Sequence, residues 1–147
     1  MKLSTRSRYG VRLMFELALN YGKEPVLLRN IAKNQDISEK YLSKIIIPLK
    51  AAGFVNSLRG AHGGYILAKD PVKISVKEIV EVLEGDISPV ECVKNSSLCK
   101  RVSVCPTRDV WCKLNNQISE TLKNISLEEI VNNSKLKEDE YSLTYCI

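Results

Sequence analysis

One histidine, His62, is all that the 147-residue chain holds. A histidine-based catalytic pair or a multi-histidine metal site therefore has no material here. Gly-x-Ser-x-Gly, P-loop and Gly-x-Gly-x-x-Gly stretches are also missing. A catalytic cysteine would find only Asp86, Glu91 and Asp109 near the cysteine-bearing segment as bases. The sequence reads as a non-enzyme. No apolar run approaches the roughly 18–20 residues that a membrane span needs. The basic-then-apolar start resembles a signal peptide only superficially, because Arg12 and Glu16 interrupt it and no small-residue cleavage site follows. A cytoplasmic protein without a membrane partner is expected. Tight Cys-x2–4-Cys knuckles, the usual mark of a closed structural zinc site, are absent too.

What is present is unevenly placed. At 16.5 kDa, with 44% hydrophobic and 27% charged residues, the chain has the size and composition of a compact globular domain with one appended element. The net charge of +5 conceals a division. Residues 1–73 carry 13 Lys/Arg against 5 Asp/Glu, whereas residues 74–147 carry 9 against 12. A basic half suited to a polyanion is thus joined to a slightly acidic half suited to regulation or assembly.

The basic half reads as three helices and a hairpin. Val11, Met14, Phe15, Ala18 and Leu19 mark one face of a first helix capped by Ser4 or Thr5. A short helix over about 27–34 follows, then the turn Asn34-Gln35-Asp36. Ser38 caps a third helix with Leu42, Ile45, Ile46 and Leu49 inward and Gly53 as its stop. Pro48 predicts a kink or a break there. The strand-like runs 54–58 and 65–68 flank Arg59-Gly60-Ala61-His62-Gly63-Gly64, a β-hairpin placed as the wing of a helix-turn-helix. The fold class expected is mainly α with a small β-hairpin wing: a winged helix-turn-helix over 1–73. Residues 74–133 would supply a linker helix opened by the Ser75–Glu78 capping box, a cysteine loop at 86–106 and a long helix from about Pro106. Ser126 opens a short final helix, and 134–147 is expected to be a mobile tail.

Two constellations carry chemistry. Lys40, Tyr41 and Lys44 on the third helix, Ser38 at its start, Arg59, Gly60, His62 and Gly63 in the wing, and Arg8 beside Arg6 and Arg12 on the first helix are candidates for contacting double-stranded DNA. A merely solvated basic face, or a surface for an acidic protein, is the plainer alternative. The second is Cys92-x6-Cys99-x5-Cys105-x6-Cys112. Thiolates suit iron–sulfur clusters, zinc or copper(I), and this wide spacing suits a larger cluster wrapped by a flexible loop better than one small ion, with a thiol redox switch as the competing reading. Trp111, Leu114, Ile118, Leu122 and Ile125 recur nearly as a heptad seam. Cys112 could simply pack beside Trp111, and Cys146 is given no role.

With these residues in view, the chain resembles the IscR/NsrR/CymR family of bacterial winged-helix regulators. MKLSTRSRYGVRLMFELALN resembles the family's first helix, Ile37 to Leu42 the start of its recognition helix, Arg59 to Lys69 its wing, and Ile125 to Val131 its closing helix. The resemblance implies a homodimer paired through the long helix and repression at a palindromic operator. It further implies that Cys92, Cys99 and Cys105 bind an iron–sulfur cluster, [2Fe–2S] or [4Fe–4S], that changes DNA affinity. Two departures concern the fourth ligand. IscR-type members use a histidine soon after the third cysteine, and residues 106–109 here contain none. NsrR-type members use an aspartate near the N-terminus, where this chain has Arg8. Asp109 and Cys112 are the local substitutes, and the first cysteine spacing is one residue longer than in the IscR type. The alternatives within the fold are thiol redox or zinc control, or a metabolite- or partner-responsive regulator of cysteine metabolism without a cluster.

Overall fold

The computed structural model describes residues 3–145. In chain order these form α1 (Thr5–Leu19), α2 (Leu28–Gln35), α3 (Glu39–Ala51), β1 (Val55–Leu58), β2 (Gly64–Leu67), α4 (Val76–Glu84), α5 (Glu91–Lys94), α6 (Arg108–Asn124) and α7 (Leu127–Tyr145), with 3-10 turns at Pro71–Lys73 and Ser96–Leu98. The mainly helical class with one antiparallel hairpin is as the sequence predicts.

Helix α1 is the hub. Ser4 caps it, its Oγ accepting the Ser7 N–H at 3.2 Å. The helix packs against α2, α3, α4, α7 and β2. Being enclosed on several sides, it buries more than the predicted face, and centres its burial to one side of it. Leu13, Met14, Leu17 and Ala18 are the buried apolar residues, while Val11, Phe15 and Leu19 are only half-buried. Gly10 lets α4 approach: a Cβ there would sit 2.1 Å from Leu83 Cδ1.

In α3 the expected seam of Leu42, Ile45, Ile46 and Leu49 is buried. The predicted break at Pro48 does not occur, and the helix runs unbroken to Ala51. The bond that proline forfeits would have gone to the carbonyl of Lys44, a solvent-exposed residue, so water can satisfy it. Burial of the four seam residues outweighs the remaining cost of about 3 kcal/mol. Between α2 and α3 the chain reverses at Asp36, which takes the left-handed conformation with φ 51°, a state that short polar side chains tolerate.

The hairpin pairs Val55 with Leu67 and Leu58 with Gly64. It is not free-standing. Val26 donates to the Tyr65 carbonyl at 2.9 Å, and Tyr65 donates back to the Val26 carbonyl at 2.8 Å. The C-terminal segment also returns to the core. Leu127 N–H donates to the Ile74 carbonyl at 2.9 Å, and Leu127 itself is fully buried. The final helix is longer than the sequence reading allows. Instead of ending near residue 133 it continues to Tyr145, through a segment without glycine or proline. The stretch 86–106 is not wholly irregular either, since α5 and a 3-10 turn punctuate it, although neither contributes a buried residue.

Candidate nucleic-acid interface and cysteine loop

Opposite the buried seam of α3 lies an exposed stripe: Lys40, Ser43, Lys44 and Ile47. Their spacing of three, four and seven places them on one helix face. Ser38 stands at the entry, its Oγ accepting the Tyr41 N–H at 3.4 Å. Tyr41 is half-buried and meets Tyr9 edge-on, the ring centroids 5.7 Å apart. The Arg12 guanidinium lies 5.4 Å from the Tyr9 ring centre and donates to both the side chain and the backbone carbonyl of Gln35. Arg12 therefore braces the helix-turn-helix from behind, whereas Arg6 and Arg8 remain exposed on the first turns of α1.

The same brace includes a residue the sequence reading missed. Glu16, buried in α1, accepts from Gln35 Nε2 at 2.6 Å and Asn34 Nδ2 at 3.1 Å. It fastens the last turn of α2, and hence the turn into α3. The signal available was a lone glutamate among apolar positions of α1, which suggested only an interrupted hydrophobic run.

In the wing, Arg59, Gly60, Ala61 and His62 are exposed. Gly63 is tightly placed: a Cβ would lie 2.5 Å from the Leu58 carbonyl oxygen. Gly60 has φ +109°, a conformation that side chains resist. Lys50 Nζ donates to Ser57 Oγ at 2.8 Å, joining α3 to β1. The predicted DNA-facing residues of α3, the wing and α1 are thus exposed, apart from half-buried Arg12, Tyr41 and Gly63.

The second constellation is more dispersed. Cys92 lies in α5, Cys99 just past the 3-10 turn, Cys105 before α6, and Cys112 within α6 one turn beyond Asp109. All four are half-buried free thiols. Hydrogen bonding from the Thr107 hydroxyl, with help from the Arg108 backbone N–H and the charge of Arg101, holds the Cys105 thiol below its ordinary pKa. Arg108 Nε donates to the Cys92 carbonyl at 3.4 Å, tying α5 to the start of α6. This donor set fits a soft-metal group chemically. Among the described residues, however, no three His, Cys, Asp or Glu side chains are gathered as ligands for a metal ion. Cys146 lies outside the described residues.

Helix α6 buries no residue within the chain. Trp111 and Leu114 are exposed, with Ile118, Leu122 and Ile125 half-buried behind them. From the loop, α4 leads back to the basic half of the chain. Glu84, its last residue, accepts from the Ser4 N–H at 2.7 Å and the Ser7 hydroxyl at 2.6 Å. No helix among the described residues is long and apolar enough to cross a membrane.

A model of the Rrf2 family, described as an iron-dependent transcriptional regulator, matches residues 3–133. The chain belongs to the Rrf2 family of transcriptional regulators. The regulator CymR of Bacillus subtilis is 38% identical over 141 residues, spanning 96% of this chain and 97% of CymR. Its solved structure, that of a global cysteine regulator, superposes with a TM-score of 0.78 over 90% of this chain and 98% of that one. Protein rrf2 of Nitratidesulfovibrio vulgaris is 40% identical over 136 residues, 92% of this chain and 91% of that protein. The structure of T. potens IscR matches with a TM-score of 0.75 and 40% identity, covering 91% of this chain and 88% of that chain. These Rrf2-family relatives are regulators rather than enzymes, and membership of the family supports DNA-binding regulation.

Proposed function

We propose that this Rrf2-family protein is a cytoplasmic homodimeric repressor of promoters with a palindromic operator, controlled by an iron–sulfur cluster in the Cys92–Cys105 loop. The observation that carries the DNA-binding part is that the basic stripe of α3 and the Arg59–His62 wing tip are both exposed, on elements joined by the Lys50–Ser57 hydrogen bond. Lys40 and Lys44 neutralise phosphates or reach base edges from the major groove, and Arg8, Arg59 and His62 bind the flanking backbone. Trp111, Leu114, Ile118, Leu122 and Ile125 supply an apolar stripe for pairing α6 with a second copy, which would set two α3 helices about one DNA turn apart.

Cys92, Cys99 and Cys105 would hold the cluster, with Asp109 or Cys112 as the fourth ligand. When bound, a [2Fe–2S] or [4Fe–4S] group supplies a redox-sensitive and iron-dependent anchor for the loop. Thr107 and Arg108 favour the thiolate that ligation requires at Cys105. The loop's state reaches the DNA-facing half through α4, whose Glu84 grips Ser4 and Ser7 at the start of α1.

A second reading is favoured by the ungathered thiols and by the likeness to CymR. It keeps the DNA-binding half and makes the chain a regulator of cysteine metabolism, responsive to a metabolite, a partner or thiol oxidation. Anaerobic purification separates the two. The cluster reading expects brown protein containing iron and acid-labile sulfide, whose promoter-DNA affinity changes when the cluster is removed. Cys92→Ala, Cys99→Ala and Cys105→Ala should each abolish the colour. Colourless, iron-free protein after anaerobic reconstitution would leave the second reading standing.

A further inference from the structure

Ile47 has no structural reason to be where it is. Four apolar residues of α3 form its buried seam, but Ile47 lies on the opposite face with 65% of its surface exposed. A lone exposed apolar side chain is ordinary in most places. This one closes the stripe expected to face DNA, seven residues after Lys40 and three after Lys44. Its neighbours there are committed to other work. Lys40 and Lys44 are cations suited to phosphate or guanine. The Ser43 hydroxyl donates to the Lys40 carbonyl of its own helix at 2.7 Å. Ile47 is the bulky apolar group left on the stripe. The apolar feature that the major groove offers is the 5-methyl group of thymine.

We propose that Ile47 is a specificity-determining residue, packing against a thymine methyl in the major groove. The inference rests on the DNA-binding reading above and is independent of the cluster. Lysines one and two turns before it bring the helix onto the duplex, and Ile47 then excludes water from one base edge. At a cytosine the isoleucine would lie against an exocyclic amino group and leave it without a hydrogen-bond partner. The preference therefore has both an attractive and a repulsive component.

Deoxyuridine tests this, since it keeps thymine's pairing edge and lacks only the methyl. The full chain is used to enrich binding sites from a random duplex pool. In the enriched duplex each thymine is then replaced singly by deoxyuridine and titrated at fixed salt. Wild-type protein should lose about fourfold in affinity at one thymine of a half-site, the worth of one buried methyl. Ile47→Ala should bind the thymine and deoxyuridine duplexes equally at that position, and Ile47→Val should show an intermediate ratio. Unchanged circular-dichroism melting of both variants would show that the fold is intact. The proposal is overturned if wild-type protein is indifferent at every thymine, or if Ile47→Ala retains the wild-type ratio. A wild-type protein that enriches no sequence overturns the DNA-binding reading as well, so the two failures are distinguishable.

Discussion

Gly10→Ala should change sign according to what occupies position 83. In a helix interior, replacing glycine by alanine ordinarily stabilises by about 1 kcal/mol. Here the new methyl would lie 2.1 Å from Leu83 Cδ1, and Leu83 is itself buried at 5% exposure. Relieving that overlap means moving a packed leucine by more than about 1 Å, against an overpacking cost of roughly 1–3 kcal/mol. The net expectation for Gly10→Ala alone is a loss of up to about 2 kcal/mol. Leu83→Ala alone should cost roughly 2–5 kcal/mol through lost burial and the cavity left behind. In that background the colliding atom is gone, and the next neighbour, Ile45 Cγ2, is at 3.5 Å, an ordinary contact. Gly10→Ala should then stabilise by about 1 kcal/mol, giving a coupling of about 1–3 kcal/mol between the sites. Urea unfolding of the four proteins at one fixed concentration measures it, provided the m-value is unchanged. If Gly10→Ala stabilises both backgrounds equally, the close α1–α4 approach is not what holds glycine at position 10.

Three further outcomes follow from the site. Glu16→Ala strips Asn34 and Gln35 of their acceptor and should cost roughly 1–3 kcal/mol; because the brace sets the turn into α3, DNA affinity should also fall under conditions where the variant remains folded, and an unchanged shift titration would refute that role. Hydrogen bonds from Ser4 and Ser7 lower the Glu84 pKa below its ordinary 4.5. Its contribution to stability is therefore present above that pH and lost as pH falls through the lowered value. Glu84→Gln should accordingly be less stable than wild type at pH 7, with the gap closing on acidification; a gap that persists below the titration refutes the linkage. Lys40→Ala and Lys44→Ala should each flatten the salt dependence of DNA binding by about one unit in log–log slope if they meet phosphate. An unchanged slope with altered sequence preference would place them on bases instead.

The parts legible from sequence were those whose pattern admits one solution. Leu42, Ile45, Ile46 and Leu49 define a single narrow seam, and Ser38 marks its start, so α3 was readable to the residue. The wing declared itself through glycines whose backbone positions exclude side chains, Gly63 above all. Helix α1 was read only in part because apolar residues surround most of its circumference, and periodicity cannot centre the face of a helix enclosed by several neighbours. The break expected at Pro48 does not occur because the bond it forfeits would have gone to Lys44, an exposed residue opposite the seam. The length of α7 was hidden because charged residues continue a helix as readily as they form a tail. Within the site, Glu16 and Ile47 escaped notice for opposite reasons: one is polar yet buried, the other apolar yet exposed.

The tether between Val26 and Tyr65 ties the wing to the segment before α2, and the Lys50–Ser57 hydrogen bond links it to α3, so the wing is held at two points rather than free-standing. A loose arm would settle onto whatever backbone lay beneath it, at the cost of its own ordering. A wing so held has little such freedom to surrender, and so the burden of adjustment passes to the nucleic acid. With α3 and the wing on DNA as proposed, duplexes whose groove already matches the gap between them would be held more tightly than those that must bend or narrow to reach it. The protein would act as a gauge of groove width, grading sites by their mechanics even at base pairs it never touches.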